Sequence, residues 1–237
     1  MGLLAALCAS RPGRLLDLVA PQTCAACGLP GEMACEDCLD ALVTPPDPLC
    51  ATCGHPAPVP LARCPSCPAG ISRARQAVLY LGPAPAFVMA LKDGRRRPVA
   101  DLLAARIAAA VPPPPPDAAL VPVPLGRARL AERGFNQSLL LARALGRRWD
   151  RPVAELLGRV REGPPQRGSR AAERARQAAG AFAPRPGARA PGTVWLVDDV
   201  LTTGATLAAC ARALRGAGAG EVGSVCFARV PADSRGR

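Results

Sequence analysis

Eight cysteines stand in four C-x-x-C pairs within the first 70 residues: Cys24/Cys27, Cys35/Cys38, Cys50/Cys53 and Cys64/Cys67. A C-x-x-C turn points two thiolates at one tetrahedral position, and two such turns complete a four-cysteine zinc site. The eight ligands therefore suggest two zinc ions. Seven, eleven and ten residues separate successive pairs. Sequential pairing, Cys24/Cys27 with Cys35/Cys38 and Cys50/Cys53 with Cys64/Cys67, is the expectation, and interleaved pairing is the alternative. Redox or disulfide pairs are a competing reading, but no strand–helix–strand pattern surrounds these cysteines. Gly28 and Gly54 follow the second cysteine of their pairs, where a knuckle turn often needs positive φ. His55 reads as a solvent-facing loop residue, because the cysteines already close two sites. Cys8, Cys210 and Cys226 lie outside the pattern, the last two as small core residues on a helix and a strand.

A second stretch, Val194–Thr206 (VWLVDDVLTTGAT), carries different chemistry. An apolar strand runs into two adjacent acids, Asp198 and Asp199. Thr202, Thr203, Gly204, Ala205 and Thr206 then lead into a helix. Ligands reach a parallel sheet at the carboxyl ends of its strands. Backbone N–H groups of a Thr/Gly turn and a helix N-terminus make a nest for a phosphate monoester. The two carboxylates, one short loop away, can accept hydrogen bonds from vicinal ribose hydroxyls. A phosphate nest beside a diol-binding acid pair suits a ribose 5-phosphate.

The elements that must position these groups follow from the pattern of the chain. Ala77–Leu81, Ala119–Val123, Thr193–Val197 and Val222–Val230 read as strands, and Val99–Val111, Asn136–Trp149 and Thr206–Leu214 as helices. Strands alternating with helices imply an α/β fold with a mostly parallel sheet. The run Pro112–Pro116 reads as an extended connector. The glycine-rich stretch 216–220 follows a helix instead of opening one, so it reads as a helix stop and not as a dinucleotide fingerprint. Residues 1–70 form the cysteine-rich module and residues 71–237 the α/β domain. Residues 1–75 contain no aromatic side chain, so that module depends on metal to fold.

Composition excludes several classes of function. The chain has 237 residues, half of them apolar, with one histidine. Two-histidine metal sites are therefore out, as are most Ser-His-Asp arrangements. Lys92, the single lysine, is followed by Asp-Gly, so there is no G-x-x-x-x-G-K-[ST] loop. No apolar stretch reaches membrane-spanning length. The first twenty residues are apolar but lack a basic start, and read as an amphipathic helix and not as a signal peptide. The net charge of +12 is uneven: residues 1–75 carry −1 and residues 76–237 carry +13. Attraction for anions belongs to the second part.

The Val194–Thr206 run resembles the phosphoribosyl pyrophosphate (PRPP) signature of type I phosphoribosyltransferases. With four C-x-x-C pairs ahead of it, the chain from about Leu15 to Val230 resembles the ComF family, phosphoribosyltransferase-like proteins linked to bacterial DNA uptake. Three further stretches carry the resemblance: Ala90–Arg95 (ALKDGR), Val121–Gln137 (VPVPLGRARLAERGFNQ) and Pro165–Phe182 (PQRGSRAAERARQAAGAF). The last departs from the family pattern at Ser169, Arg170 and Gln177.

The resemblance implies a type I phosphoribosyltransferase-like parallel sheet flanked by helices, behind a small zinc-ribbon module. It implies PRPP or another phosphoribosyl ligand, bound with Mg²⁺, and transfer of the phosphoribosyl group to an acceptor the sequence does not name. Asp198, Asp199 and residues 202–206 would hold the ribose phosphate. Residues 127–176 hold 13 arginines against 5 acids, and Arg133, Arg167 and Arg174, with Lys92, are candidates for pyrophosphate contacts. The resemblance also implies a cytoplasmic setting, with single-stranded DNA and a DNA-uptake helicase or recombination proteins as partners. The alternative is a non-catalytic, single-stranded-DNA-binding accessory of DNA uptake.

Overall fold

The computed structural model describes residues 22–94, 96–161 and 180–231. The N-terminal apolar stretch, Cys8, Arg167 and Arg174 lie outside the described residues.

In chain order the described elements are α1 (Glu36–Asp40), β1 (Arg73–Leu79), α2 (Ala84–Lys92), α3 (Val99–Ala110), β2 (Ala119–Pro122), α4 (Arg127–Arg133), α5 (Gln137–Trp149), β3 (Leu157–Arg159), β4 (Phe182–Pro184), β5 (Thr193–Leu201), α6 (Ala205–Gly216) and β6 (Glu221–Arg229). Four strands form one parallel sheet in the order β1-β6-β5-β2, and β3 and β4 form a separate antiparallel ribbon. The parallel α/β architecture is the one expected. Central strands β5 and β6 are apolar on both faces, as a sheet covered on both sides requires.

Alternation along the strands builds two cores. Trp195, Val197, Val225 and Phe227 pack with Leu103 and Ile107 of α3 and Leu141 and Leu145 of α5. Val194, Leu196, Val222 and Cys226 face the other way, onto Leu207, Cys210 and Leu214 of α6. Cys210 and Cys226 are thus the core residues expected from sequence. Asn136 caps α5, its side chain accepting from the Ser138 N–H at 3.0 Å, which fixes where that helix starts.

The cysteine-rich segment is built onto the sheet. Ala34 and Leu42 join the first core, and Cys50, Cys53 and Cys64 join the second. Edge strand β1 is covered by backbone hydrogen bonds from its N–H groups to this segment: Ala74 to the Thr52 carbonyl and Leu79 to the Val43 carbonyl, both at 2.7 Å. The edge is thereby closed to other chains.

The structure differs from the sequence reading at β5, α2 and His55, and β1 runs over Arg73–Leu79 instead of Ala77–Leu81. β5 does not stop before its acids: it stays paired with β6 through Asp198↔Cys226 to Leu201↔Arg229. Pairing to a long neighbour holds two charged residues inside a ladder that propensity alone would end. α2 is a helix that the PAPAF stretch concealed, starting at Ala84 right after Pro83, where the missing proline N–H costs nothing. His55 is half-buried instead of facing solvent, its carbonyl accepting from the Cys50 N–H at 2.8 Å.

Candidate functional site

The cysteines gather in sequential pairing. Cys24, Cys27, Cys35 and Cys38 form one group and Cys50, Cys53, Cys64 and Cys67 the other, with the sulfurs of each group within 4.8 Å of one another. Zn–S bonds of about 2.3 Å in a tetrahedron put sulfurs about 3.8 Å apart. The Sγ separations are 3.7 Å for Cys27–Cys35, 3.6 Å for Cys50–Cys67, 3.4 Å for Cys53–Cys64 and 3.9 Å for Cys64–Cys67. Each group can therefore hold one zinc ion. Gly28 and Gly54 adopt φ of +77° and +63°, and their N–H groups close the knuckles onto the Cys24 and Cys50 carbonyls. Burial raises the Cys24 thiol, but backbone N–H groups of Cys27, Cys35 and Ala26 outweigh it and hold the pKa at about 6. Burial likewise opposes the Cys50 thiolate, and N–H groups of Cys53 and Thr52 with the Cys67 thiol bring it to about 6. Both groups are thus supplied with a thiolate ready to ligate.

The second site lies at the carboxyl end of β5. Asp199 is buried, and its Oδ2 lies 2.8 Å from Lys92 Nζ at the end of α2. Asp198 faces α5, where Ser138 Oγ donates to its Oδ1 at 2.9 Å, and the Asp199 N–H donates to the same oxygen at 3.0 Å. Burial, then the charge of Asp199, pushes the Asp198 carboxyl up to about 7, although Lys92 and Ser138 pull it back. Burial lowers the Lys92 ammonium, but the two aspartates outweigh it and hold its pKa above the ordinary lysine value.

Beyond Leu201 the chain turns through Thr202, Thr203 and Gly204. Gly204 sits at φ +80° as the N-cap of α6, and no side chain caps that helix. Its first N–H groups are therefore open to an anion, apart from a 3.4 Å contact from the Ala205 N–H to Thr203 Oγ1. Ala205 and Thr206 are the first two residues of α6. Arg133 lies one step away: it donates to Gln137 Oε1 at 2.7 Å and pairs with Asp93, the neighbour of Lys92, at 3.3 Å. Lys92, Ser138, Asp198 and Asp199 are thus brought together, with residues 202–206 following directly in the chain.

Residues 137–235 match the phosphoribosyl transferase domain family. The chain is 32% identical over 230 residues to the DNA utilization protein YhgH of Escherichia coli K12, a match covering 90% of this chain and 99% of that protein. The DNA utilization protein YhgH of Salmonella typhimurium matches at 33% identity with the same coverage. The competence protein F of Haemophilus influenzae is 38% identical over 107 residues, 44% of this chain and 47% of that protein. This chain belongs to the ComF family.

Its fold is accordingly a type I phosphoribosyltransferase-like sheet behind two four-cysteine groups. Three residues important to this ComF site escaped the sequence reading. Ser138 stands one residue past the R-G-F-N-Q block and holds Asp198. Pro68, next to Cys67, packs on the phosphate turn so closely that a Cβ on Gly204 would lie 2.8 Å from its ring. Arg229 is fully buried at the end of β6, donating to the carbonyls of Cys53 at 2.9 Å and Ser66 at 3.3 Å. An arginine inside the apolar run VCFARV was the available signal for the last. Burial raises the Cys53 thiol, and the Arg229 charge pulls it back. A four-thiolate zinc site would carry two net negative charges, and Arg229 would offset part of them from inside the protein. The second cysteine group is thus tied, through Pro68 and Arg229, to the turn after β5. Among the described residues no helix is long and apolar enough to cross a membrane.

Proposed function

We propose that this chain binds PRPP at the turn between β5 and α6. The observation that carries the reading is the uncapped start of α6 behind Gly204, three residues past the end of β5, the strand that carries Asp198 and the buried Asp199. The N–H groups of residues 202–206 receive the 5-phosphate, where the helix dipole adds to the hydrogen bonds. Asp198 and Asp199 accept from the ribose hydroxyls. Lys92, paired with Asp199, and Arg133, paired with Asp93, are assigned to the leaving pyrophosphate, and Arg167 and Arg174 to the same role. Mg²⁺ supplies hard-cation neutralisation of the pyrophosphate oxygens. Phosphoribosyl transfer needs no side-chain nucleophile, so positioning and charge neutralisation suffice, and the lack of a suitable histidine is no obstacle. The two four-cysteine groups hold zinc and stiffen the edge of the sheet.

The relatives' names, DNA utilization protein and competence protein F, favour a place in the use of DNA, and we assign the chain to DNA uptake with a cytoplasmic setting. The +13 charge of residues 76–237 suits contact with single-stranded DNA there, beside a helicase or recombination protein. If transfer activity is absent, this binding role stands alone as the second reading. Calorimetry with PRPP and Mg²⁺ tests the first: saturable binding at one site per chain supports it, and no heat at millimolar ligand refutes it.

A further inference from the structure

The amino end of the same sheet carries an unassigned cavity. Strand register places Arg73 of β1, Gly223 of β6 and Trp195 of β5 in one row across the sheet. Arg75 is two residues along on the same face. Gly223 leaves room for the indole: a Cβ there would lie 2.5 Å from the Trp195 ring. The connector Pro112–Pro116 and Arg151 close the space, leaving a cavity of about 410 Å³.

Three guanidinium groups surround it, and among the described residues none pairs with a carboxylate. Arg151 is locked in place, its N–H groups donating to carbonyls of Pro114, Pro115, Trp149 and Asp150 at 2.8–3.2 Å. Arg75 is held by the carbonyls of Ala51, Thr52 and Ala74. These two supply fixed charge. Burial, then the like charge of Arg73, lowers the Arg75 pKa against the opposing pull of the Cys53 and Cys50 thiolates. Arg73 is exposed and spends no N–H on a protein acceptor among the described residues, so its fork is free for a ligand. The Trp195 indole N–H, buried in the wall, also has no acceptor there.

We propose that this cavity is a second ligand site, separate from the turn after β5, for a small phosphate monoester with a compact apolar body. The phosphate meets Arg73 over the fixed charges of Arg75 and Arg151. The body lies against the proline rings and the edge of Trp195. The volume exceeds what inorganic phosphate fills and is within the range of small-molecule sites. The site stands whether or not PRPP binds at the other end of the sheet.

The test is a titration of the full zinc-loaded chain with cyclohexyl phosphate, read by tryptophan fluorescence. A saturable change is expected, with Arg73→Glu raising the midpoint roughly tenfold or more, since a charge-assisted fork is lost and reversed. Arg73→Gln should act in the same direction and less strongly. Arg212→Glu, an equal charge change at an exposed position of α6, should leave the midpoint where it was. Equal midpoints for wild type, Arg73→Glu and Arg73→Gln would overturn the site. An equal loss in Arg212→Glu would reduce it to the overall charge of the molecule. Inorganic phosphate binding as tightly as cyclohexyl phosphate would overturn the monoester class.

Discussion

Asp198 titrates where its ligand would bind. With its carboxyl held at about 7, it is largely protonated at pH 6 and ionised at pH 8. Only the ionised form offers every oxygen as an acceptor, so PRPP affinity is predicted to rise as pH climbs through 7. The second ionisation of a phosphate, at about pH 6, contributes its own slope. Asp198→Asn should retain that slope and lose the step near 7; calorimetry at several pH values in both proteins separates the two. Linkage gives the opposite sign for the free protein. A carboxyl raised in the folded state stabilises the fold fully below its unfolded value near 3.8, and that contribution is lost as pH rises through 7. At Gly204 backbone and packing agree. A side chain at φ +80° costs roughly 1–2 kcal/mol, and a Cβ would strike Pro68 as well. Gly204→Val should therefore abolish ribose 5-phosphate binding and lower the melting temperature. A variant that binds normally would show that the turn does not hold the phosphate. The acid pair and the TTGAT turn were legible because their residue types are rare in that order. Ser138 was not, since a serine inside a helix carries no mark of the carboxylate it will meet.

The second cysteine group and the β5–α6 turn behave as one unit, joined by Pro68 on Gly204 and by Arg229 beneath Cys53. Losing a ligand from that group should loosen the turn, whereas losing one from the first group should not. Cys67→Ser is predicted to speed amide exchange at residues 202–206 and to weaken PRPP, relative to Cys27→Ser. Equal exchange in the two variants would contradict the coupling. Both should destabilise the protein more than Cys226→Ser, because metal binding is folding energy. The sequence revealed these elements unevenly. Apolar runs announced β2, β5 and β6, and 3.6-residue spacing announced α3, α5 and α6. α2 was hidden by its prolines, and β3 and β4 are three residues each, too short for any period. How far β5 continues past its acids is set by β6, a partner far away in sequence.

At the scale of the molecule, the chain joins two metal-capable four-cysteine groups to a basic phosphoribosyltransferase-like sheet, with a proposed anion site at each end of that sheet. Metal analysis of protein purified without chelators should give about two zinc ions per chain; none would remove the zinc reading. The +13 carried by residues 76–237 should produce weak, sequence-independent binding of single-stranded DNA that falls steeply with salt. Binding insensitive to salt would contradict that. Calorimetry of PRPP with Mg²⁺ on the wild type and on Asp198→Asn/Asp199→Asn decides whether the ribose phosphate is held here. The pair of changes keeps shape and removes two charge-assisted acceptors, each worth roughly 1.5–3 kcal/mol, so affinity should fall at least about tenfold. A wild type that ignores PRPP, or a double variant that binds it equally well, would rule this site out.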